Sequence, residues 1–110
     1  MGFSQTKQLP VQALSQDKNR LETLEKNKLR VKNEPDNAKA HYFLGLSYHI
    51  DLCMYDEAIK HYEDALSLKI NYIEAYCSLG ILYIEIGELS RAAIMFRESL
   101  ALEKDYVDSV

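Results

Sequence analysis

Apolar residues recur at helical spacing along most of the chain, and two long stretches carry the same pattern. In residues 37–50 and again in residues 55–68, apolar side chains return every three or four positions and so share one face of a helix. Residues 72–86 and 89–102 show two further runs of the same kind. The pattern predicts two helical hairpins, the second turning at Gly87, where a left-handed backbone ends a helix without steric cost.

The segment that precedes the hairpins carries a narrower apolar stripe. Its apolar residues, at spacings of 7, 3 and 7, are Leu14, Leu21, Leu24 and Val31. The rest of the segment is charged, so a helix docked through one seam is expected over residues 13–34. Pro35 ends it, because the residue before a proline is pushed out of the α region. Residues 1–12 lack periodicity and are expected to form a flexible leader.

Short polar residues stand just ahead of the predicted helices at equivalent positions. Asp36, Asn71 and Asp105 are separated by 35 and 34 residues, and each side chain can accept a hydrogen bond from the first helical turn. Asn71 and Glu74 have the spacing of a capping box. A helix is therefore expected to begin after each of the three. Residues 105–110 then start a third unit, either because the chain is a fragment of a longer array or because the stack ends uncapped.

The two hairpins repeat each other residue for residue, with one irregularity. Gly45 and Tyr48 return 35 positions later as Gly80 and Tyr83, whereas Ala58 returns 34 positions later as Ala92. One extra residue must therefore lie between Tyr48 and Ala58. A repeat of this length is a single supersecondary unit that is stable only when neighbouring units stack on it.

The repeated pattern resembles the tetratricopeptide repeat. The residues that carry the resemblance are Leu44, Gly45, Tyr48, Ala58, Tyr62, Ala65 and Leu66, then Leu79, Gly80, Tyr83, Gly87, Ala92, Phe96, Ser99 and Leu100. The resemblance implies an all-α fold, a right-handed α–α superhelix with units at residues 37–70 and 71–104 behind an N-terminal capping helix. The chain departs from the family pattern at His41, where an aromatic residue is usual, and at Ile70 and Lys104, where a closing proline is usual.

In that family the first helix of each unit lines a concave groove that holds a partner. The resemblance assigns to this groove Lys39, Tyr42, Leu46, His49 and Ile50, then Glu74, Cys77, Ile81, Ile84 and Glu85. The set is mostly apolar and lacks the lysine and asparagine clamp with which some family members hold a C-terminal carboxylate. It favours a protein or peptide partner, either an amphipathic helix or an extended apolar segment. The alternative is that these residues cover the chain's own first helix.

A second apolar surface is expected at the far end of the stack. Lys60 and His61 of the first unit are replaced by Ile94 and Met95 in the second, and Ile86 extends this trend. Apolar patches of this kind usually mark a surface that another structure covers. A further repeat would cover it, and so would a second copy of the chain, which makes self-assembly into a homo-oligomer the alternative function.

Composition and charge narrow the function further. The chain of 110 residues is 47% hydrophobic and 27% charged, which is ordinary for a globular domain. Residues 1–35 carry seven Lys/Arg and four Asp/Glu, whereas residues 36–110 carry six and thirteen. The acidic repeat body argues against nucleic-acid binding, which requires a basic surface.

No segment has the length of a membrane span. Cys53 and Cys77 form no disulfide or zinc pattern, which favours a reducing, cytoplasmic setting.

No arrangement of residues in the sequence indicates catalysis. There is no nucleophile paired with a base and no glycine loop that would hold a phosphate. His41, His49 and His61 do not share one helical face at i, i+4 spacing, and none of them is expected to have a nearby cluster of ligands. We therefore predict a non-catalytic protein-interaction module without a metal or cofactor.

Overall fold

The computed structural model describes residues 11–109, with side chains from residue 18 to residue 104, and this part of the chain is a series of helices joined by short links. The helices are α1 (Val11–Asn33), α2 (Ala38–Leu46), α3 (Tyr55–Leu68), α4 (Ile73–Glu85) and α5 (Leu89–Ser109). α2 continues directly into a π-helical stretch, Ser47–Asp51, called the π segment below. The predicted all-α fold is confirmed. The predicted leader lies outside the described residues, except that Val11 and Gln12 already belong to α1.

Each helix packs mainly on its neighbours in sequence. α1 contacts α2 and the π segment, α2 contacts α3, α3 contacts α4, and α4 contacts α5. The shared core runs through the stack and consists of Leu24, Leu44, Tyr48, Ala58, Tyr62, Leu79, Leu82, Tyr83 and Ala92. Among the described residues, no helix is long and apolar enough to cross a bilayer. The apolar stripes read from the sequence are thus the surfaces that join successive helices.

A glycine in the first helix of each hairpin lets an aromatic ring of the second helix come close. A Cβ atom added at Gly45 would lie 2.7 Å from the ring of Tyr62. The same atom added at Gly80 would lie 2.7 Å from the ring of Phe96. Because such distances are shorter than any normal carbon contact, both hairpins depend on the missing side chain at this position.

The π segment accounts for the extra residue in the first hairpin. Tyr48 and Tyr83 each accept a backbone hydrogen bond of 2.8 Å, from the amides of Met54 and Glu88 respectively. The residue before each of these donors is left-handed, with φ of 53° at Cys53 and 84° at Gly87. Cys53 is therefore the counterpart of Gly87. The extra residue lies between Tyr48 and Cys53, where the helix widens from α to π geometry.

The predicted starts of α2 and α4 are each displaced by one residue. Pro35 and Asp36 form a turn, and Asn37 caps α2 by accepting a hydrogen bond of 3.2 Å from the amide of Ala40. α4 begins after Tyr72, whose side chain makes no capping bond, so the predicted capping box at Asn71 is wrong. Burial of the Tyr72 ring, which is 6% exposed, fixes this turn instead of a polar cap.

No helix begins at Asp105. α5 continues through this residue to Ser109, so the expected helix start is wrong. A missing proline does not explain this difference, because Ile70 stands at the equivalent position and α3 still ends at Leu68. After α3 the buried Tyr72 packs against Ala65 and Ala75, which fixes the turn into α4, and no described helix packs back on α5 in this way. The division of the chain into units at residues 37–70, 71–104 and 105–110 stays a prediction.

Candidate partner-binding groove

Side chains from α2 and α4 border two hollows. Hollow 1, of about 360 Å³, is lined by Leu46, His49, Ile50, Cys53, Ser78, Ile81 and Glu85. Hollow 2, of about 370 Å³, is lined by Lys39, Tyr42, Phe43, Lys69, Tyr72 and Glu74. The first helices of the two hairpins therefore contribute side chains to both hollows.

The predicted groove residues divide between these hollows. Hollow 1 contains Leu46, His49, Ile50, Ile81 and Glu85, and hollow 2 contains Lys39, Tyr42 and Glu74. Cys77 is partly buried and Ile84 is 51% exposed, and neither lines either hollow. The other lining residues, which the sequence analysis missed, are Cys53, Ser78, Phe43, Lys69 and Tyr72. All five lie outside the family's groove positions, although Phe43 and Ser78 directly follow the groove residues Tyr42 and Cys77 in sequence.

A hydrogen bond between α2 and α4 joins one lining residue of each hollow. The hydroxyl of Tyr42 lies 3.1 Å from the hydroxyl of Ser78, and these residues line hollow 2 and hollow 1 respectively. The Tyr42 ring also packs against the rings of Tyr72 and Tyr62, with centroids 5.1 and 5.8 Å away. Tyr42 is consequently held in place on several sides, which fixes the shape of the surface between the hollows.

A buried histidine connects the wall of hollow 1 to the core. His49 is 6% exposed, its Nδ1 lies 3.1 Å from the hydroxyl of Tyr62, and its Nε2 lies 3.1 Å from Oε2 of Glu85. A carboxylate only accepts, so Nε2–H donates to Glu85. In the neutral form of the ring, Nδ1 then accepts from the Tyr62 hydroxyl. Burial raises the pKa of Tyr62, which keeps its hydroxyl protonated as this donor. Glu85 is thereby oriented, and its side chain is 40% exposed.

The two hollows differ in the chemistry that they offer. In hollow 1, Ile50 is 66% exposed and Ile81 is 49% exposed, beside the single carboxylate of Glu85. Hollow 2 combines aromatic rings with two amines and one carboxylate, and the ammonium of Lys69 lies 4.7 Å from the centroid of the Tyr72 ring. Hollow 1 is thus suited to an apolar group flanked by a cation, and hollow 2 to a group that packs on an aromatic face.

The described part of α1 lies outside this surface. Its Leu24 is buried in the core, and the Asn27 amide donates to the Ser47 hydroxyl at 2.9 Å. Arg20 approaches the Asp51 carboxylate at 3.8 Å. No described α1 side chain lines either hollow, so this part of the helix leaves both of them open.

The far end of the stack is apolar in part. Ile86 and Ile94 are 40% and 47% exposed, as the second predicted surface requires. Met95 is only partly exposed, because it packs against the core. Leu100, which was not assigned to this surface from the sequence, is 63% exposed.

The fold also brings together two histidines that the sequence keeps apart. His41 of α2 and His61 of α3 approach the same carboxylate, that of Asp64, so the statement that no ligand cluster lies near a histidine is wrong. Helical spacing compares positions within one helix. It does not detect ligands supplied by two helices that pack side by side.

Two family models match the sequence. A TPR repeat model covers residues 54–87, from the start of α3 to the turn after α4. A tetratricopeptide repeat model covers residues 73–106, which is α4 and most of α5. Residues 54–106 therefore belong to the tetratricopeptide repeat family, a class of helical protein-interaction scaffolds.

Solved structures with the same arrangement of helices include MamA. One crystal structure of MamA is 28% identical, with a TM-score of 0.77 over 82% of this chain and 52% of that chain. MamA from Desulfovibrio magneticus RS-1, residues 41 to the end, is 26% identical, with a TM-score of 0.75 over 84% of this chain and 51% of that one. The chain spans about half the length of these relatives. A comparison of the sequence with curated proteins gave no match.

Proposed function

We propose that the protein is a non-catalytic interaction module that holds a segment of another protein across hollows 1 and 2. Membership in the tetratricopeptide repeat family supports the general role of a scaffold. The observation that carries the specific proposal is that Ile50 and Ile81 remain about half exposed or more beside an oriented carboxylate. Exposed apolar side chains grouped in a concavity are typical of a surface that a partner covers.

The occupant that fits this surface best is an amphipathic segment that carries a basic residue. Apolar side chains of the segment would enter hollow 1, where Ile50 and Ile81 provide contact area. A lysine or arginine beside them would pair with the oriented Glu85 carboxylate. The net charge of residues 36–110, six Lys/Arg against thirteen Asp/Glu, would attract such a segment from a distance.

The cellular setting forms part of the proposal. Cys53 is exposed and Cys77 is a free thiol, so neither contributes a disulfide to the fold. Free, unpaired thiols are typical of reducing compartments, which supports a cytoplasmic partner.

Selection from a library of amphipathic helical peptides against the full chain tests the proposal. We expect the selected peptides to combine apolar anchors with Lys or Arg. Ile81→Glu should weaken their binding at least about tenfold, because a carboxylate would replace an apolar contact next to Glu85. Fluorescence anisotropy measures the dissociation constants, and circular dichroism checks that helicity is kept.

Ile70→Glu is the matched control. Ile70 is 78% exposed and lines neither hollow, so the same change in charge and side-chain type should leave binding unchanged. The groove assignment is contradicted if the peptides bind Ile81→Glu as tightly as the original chain, or if Ile70→Glu weakens binding equally.

Self-assembly is the second candidate function. Ile86, Ile94 and Leu100 are all at least 40% exposed in the turn before α5 and on α5 itself. A second copy of the chain would remove these side chains from water, at roughly 25 cal/mol per Å² of apolar area buried.

A further inference from the structure

Three side chains that are good metal ligands converge between α2 and α3. His41, His61 and Asp64 each offer one ligand atom, and these atoms all lie within 4.8 Å of one another. Nδ1 of His41 is 3.8 Å from Oδ2 of Asp64, and Nδ1 of His61 is 3.9 Å from the same oxygen. Both distances are too long for hydrogen bonds, which lie at about 2.7–3.2 Å.

The hydrogen bond on the opposite side of His41 fixes which nitrogen faces the cluster with a lone pair. Nε2 of His41 lies 2.8 Å from the carbonyl oxygen of Pro35. A carbonyl only accepts, so Nε2 carries the hydrogen and donates it. In the neutral form of the ring, which is the form that binds a metal ion, Nδ1 then has the lone pair. His41 is 8% exposed, and its Nδ1 has no hydrogen-bond partner.

Nδ1 of His61 is also buried, and it too has no hydrogen-bond partner. Two buried nitrogens therefore face a carboxylate oxygen without a hydrogen bond to it, and buried polar atoms left without a partner are costly.

We propose that His41, His61 and Asp64 bind a divalent transition-metal ion of the Zn²⁺ type, through both Nδ1 atoms and a carboxylate oxygen. Two neutral imidazoles and one carboxylate are a preferred donor set for such an ion. The single negative charge of this donor set neutralises part of the charge of the divalent ion. The Pro35 carbonyl is the outer partner that orients His41, as metal-bound histidines usually require. A water molecule completes the coordination.

Binding needs only a small rearrangement. Ligand atoms at about 2.0–2.1 Å from a tetrahedral ion are about 3.3 Å apart, so the two nitrogen–oxygen distances shorten by roughly half an ångström. The two imidazole planes are inclined by 26°, so the His61 ring must also turn about its Cβ–Cγ bond to direct its lone pair at the ion. No hydrogen bond to Nδ1 of His61 opposes this rotation, although the ring stacks on that of Tyr48, with centroids 5.7 Å apart, and part of this contact is lost on turning.

The cluster belongs to the first hairpin alone. The equivalent positions of the second hairpin are Tyr76, Met95 and Glu98, which cannot form this donor set. The bound ion would join α2 to α3 and stabilise the first hairpin, since any ligand that binds only the folded state does so. The proposal is independent of the groove, because none of its three ligands lines hollow 1 or hollow 2.

Titration of the metal-free full chain with Co²⁺ tests the site, because tetrahedral Co²⁺ absorbs visible light and Zn²⁺ then displaces it. We expect one ion per chain with nitrogen and oxygen ligands. Asp64→Asn should weaken binding at least about tenfold, since it keeps the size of the side chain and removes the anionic ligand. His61→Met, which copies Met95 of the second hairpin, should do the same. Added Zn²⁺ should raise the thermal midpoint of the original chain but not of Asp64→Asn.

Glu98→Gln provides the matched control, since it changes the acidic residue at the position equivalent to Asp64 and should leave Co²⁺ affinity unchanged. If His61→Met does not fold, Asp64→Asn decides the question, because this side chain is 44% exposed. The proposal is overturned if no tetrahedral spectrum appears or if Asp64→Asn binds as tightly as the original chain. It is equally overturned by a thiolate charge-transfer band, which would assign the ion to Cys53 or Cys77.

Discussion

Cys53 and Gly87 occupy the same place in the two hairpins, and only one of them is a glycine. Both backbones are left-handed, with φ of 53° and 84°. A residue with a Cβ atom loses roughly 1–2 kcal/mol in this conformation, whereas glycine adopts it freely. Cys53 lies two residues after the end of the π segment. The first hairpin therefore contains both the irregular helix and the strained residue.

Cys53→Gly should therefore raise the free energy of unfolding by about 0.5–1 kcal/mol, after allowance for the greater flexibility of glycine in the unfolded chain. Gly87→Ala should lower it by about 1 kcal/mol, and this cost is purely conformational because nothing lies within 4 Å of the added Cβ. Urea denaturation measures both changes.

Cys53→Ala is the control for loss of the thiol, and it should stay within about 0.5 kcal/mol of the original chain because it keeps the left-handed strain. A Cys53→Gly chain no more stable than Cys53→Ala would show that the backbone at this residue is not strained.

At the scale of helix pairs, both hairpins pack a glycine of the first helix against an aromatic ring of the second. They differ in how the position of that ring is fixed. Tyr62 is fully buried and hydrogen-bonded to His49, so its ring cannot move away from Gly45. Phe96 is partly exposed and has no polar atom to fix it against Gly80. The first hairpin should consequently tolerate an added methyl group less well than the second.

Gly45→Ala should lower the free energy of unfolding by about 3 kcal/mol and Gly80→Ala by about 1 kcal/mol, the two ends of the range for overpacking. Urea denaturation of the two variants measures the difference. Phe96→Leu, combined with Gly80→Ala, should recover part of the loss because it shortens the ring that the methyl meets. Equal losses at both glycines would contradict the idea that the Tyr62–His49 bond makes the first hairpin more rigid.

Local patterns in the sequence predicted the helices, their order and the turn at Gly87. This was possible because apolar spacing and a glycine determine the backbone only within a few neighbouring residues. The continuity of α5 through Asp105 was not predictable in this way, since a capping residue is used only where the chain has a reason to break. Hollow 1 was predicted in part. Ile81 and Glu85 occupy regular helix positions, whereas Cys53 lies just beyond the π segment, whose irregular geometry regular helical spacing does not express. The cluster of His41, His61 and Asp64 depends on contact between two helices, which spacing within one helix does not express.

At the scale of the whole molecule, the stack has two different ends. α1 covers α2 and the π segment through Leu24 and Asn27. At the other end, α5 presents Ile94 and Leu100 to solvent. In a structure where each helix contacts mainly its neighbours, only an end can accept another unit, and here α5 offers the apolar surface for it.

If this end mediates self-assembly, we expect the chain to form dimers or larger species at high concentration. Ile94→Lys should raise the dissociation constant of these species at least about tenfold, because it places a charge in the contact. Sedimentation velocity over a range of concentrations measures the effect. Ile70→Lys is the control, because this residue is as apolar and even more exposed but lies in the α3–α4 link. A chain that sediments as a monomer at every concentration would exclude the self-assembly candidate.

The placement of the three histidines gives the molecule a set of built-in spectroscopic labels. His49 lies under hollow 1 in contact with Glu85, whereas His41 and His61 face Asp64 between α2 and α3. An occupant that pairs with Glu85 should change the nitrogen resonances of His49 alone, and a metal ion should change those of the other two. One isotope-labelled sample would therefore distinguish the two binding events without any added probe.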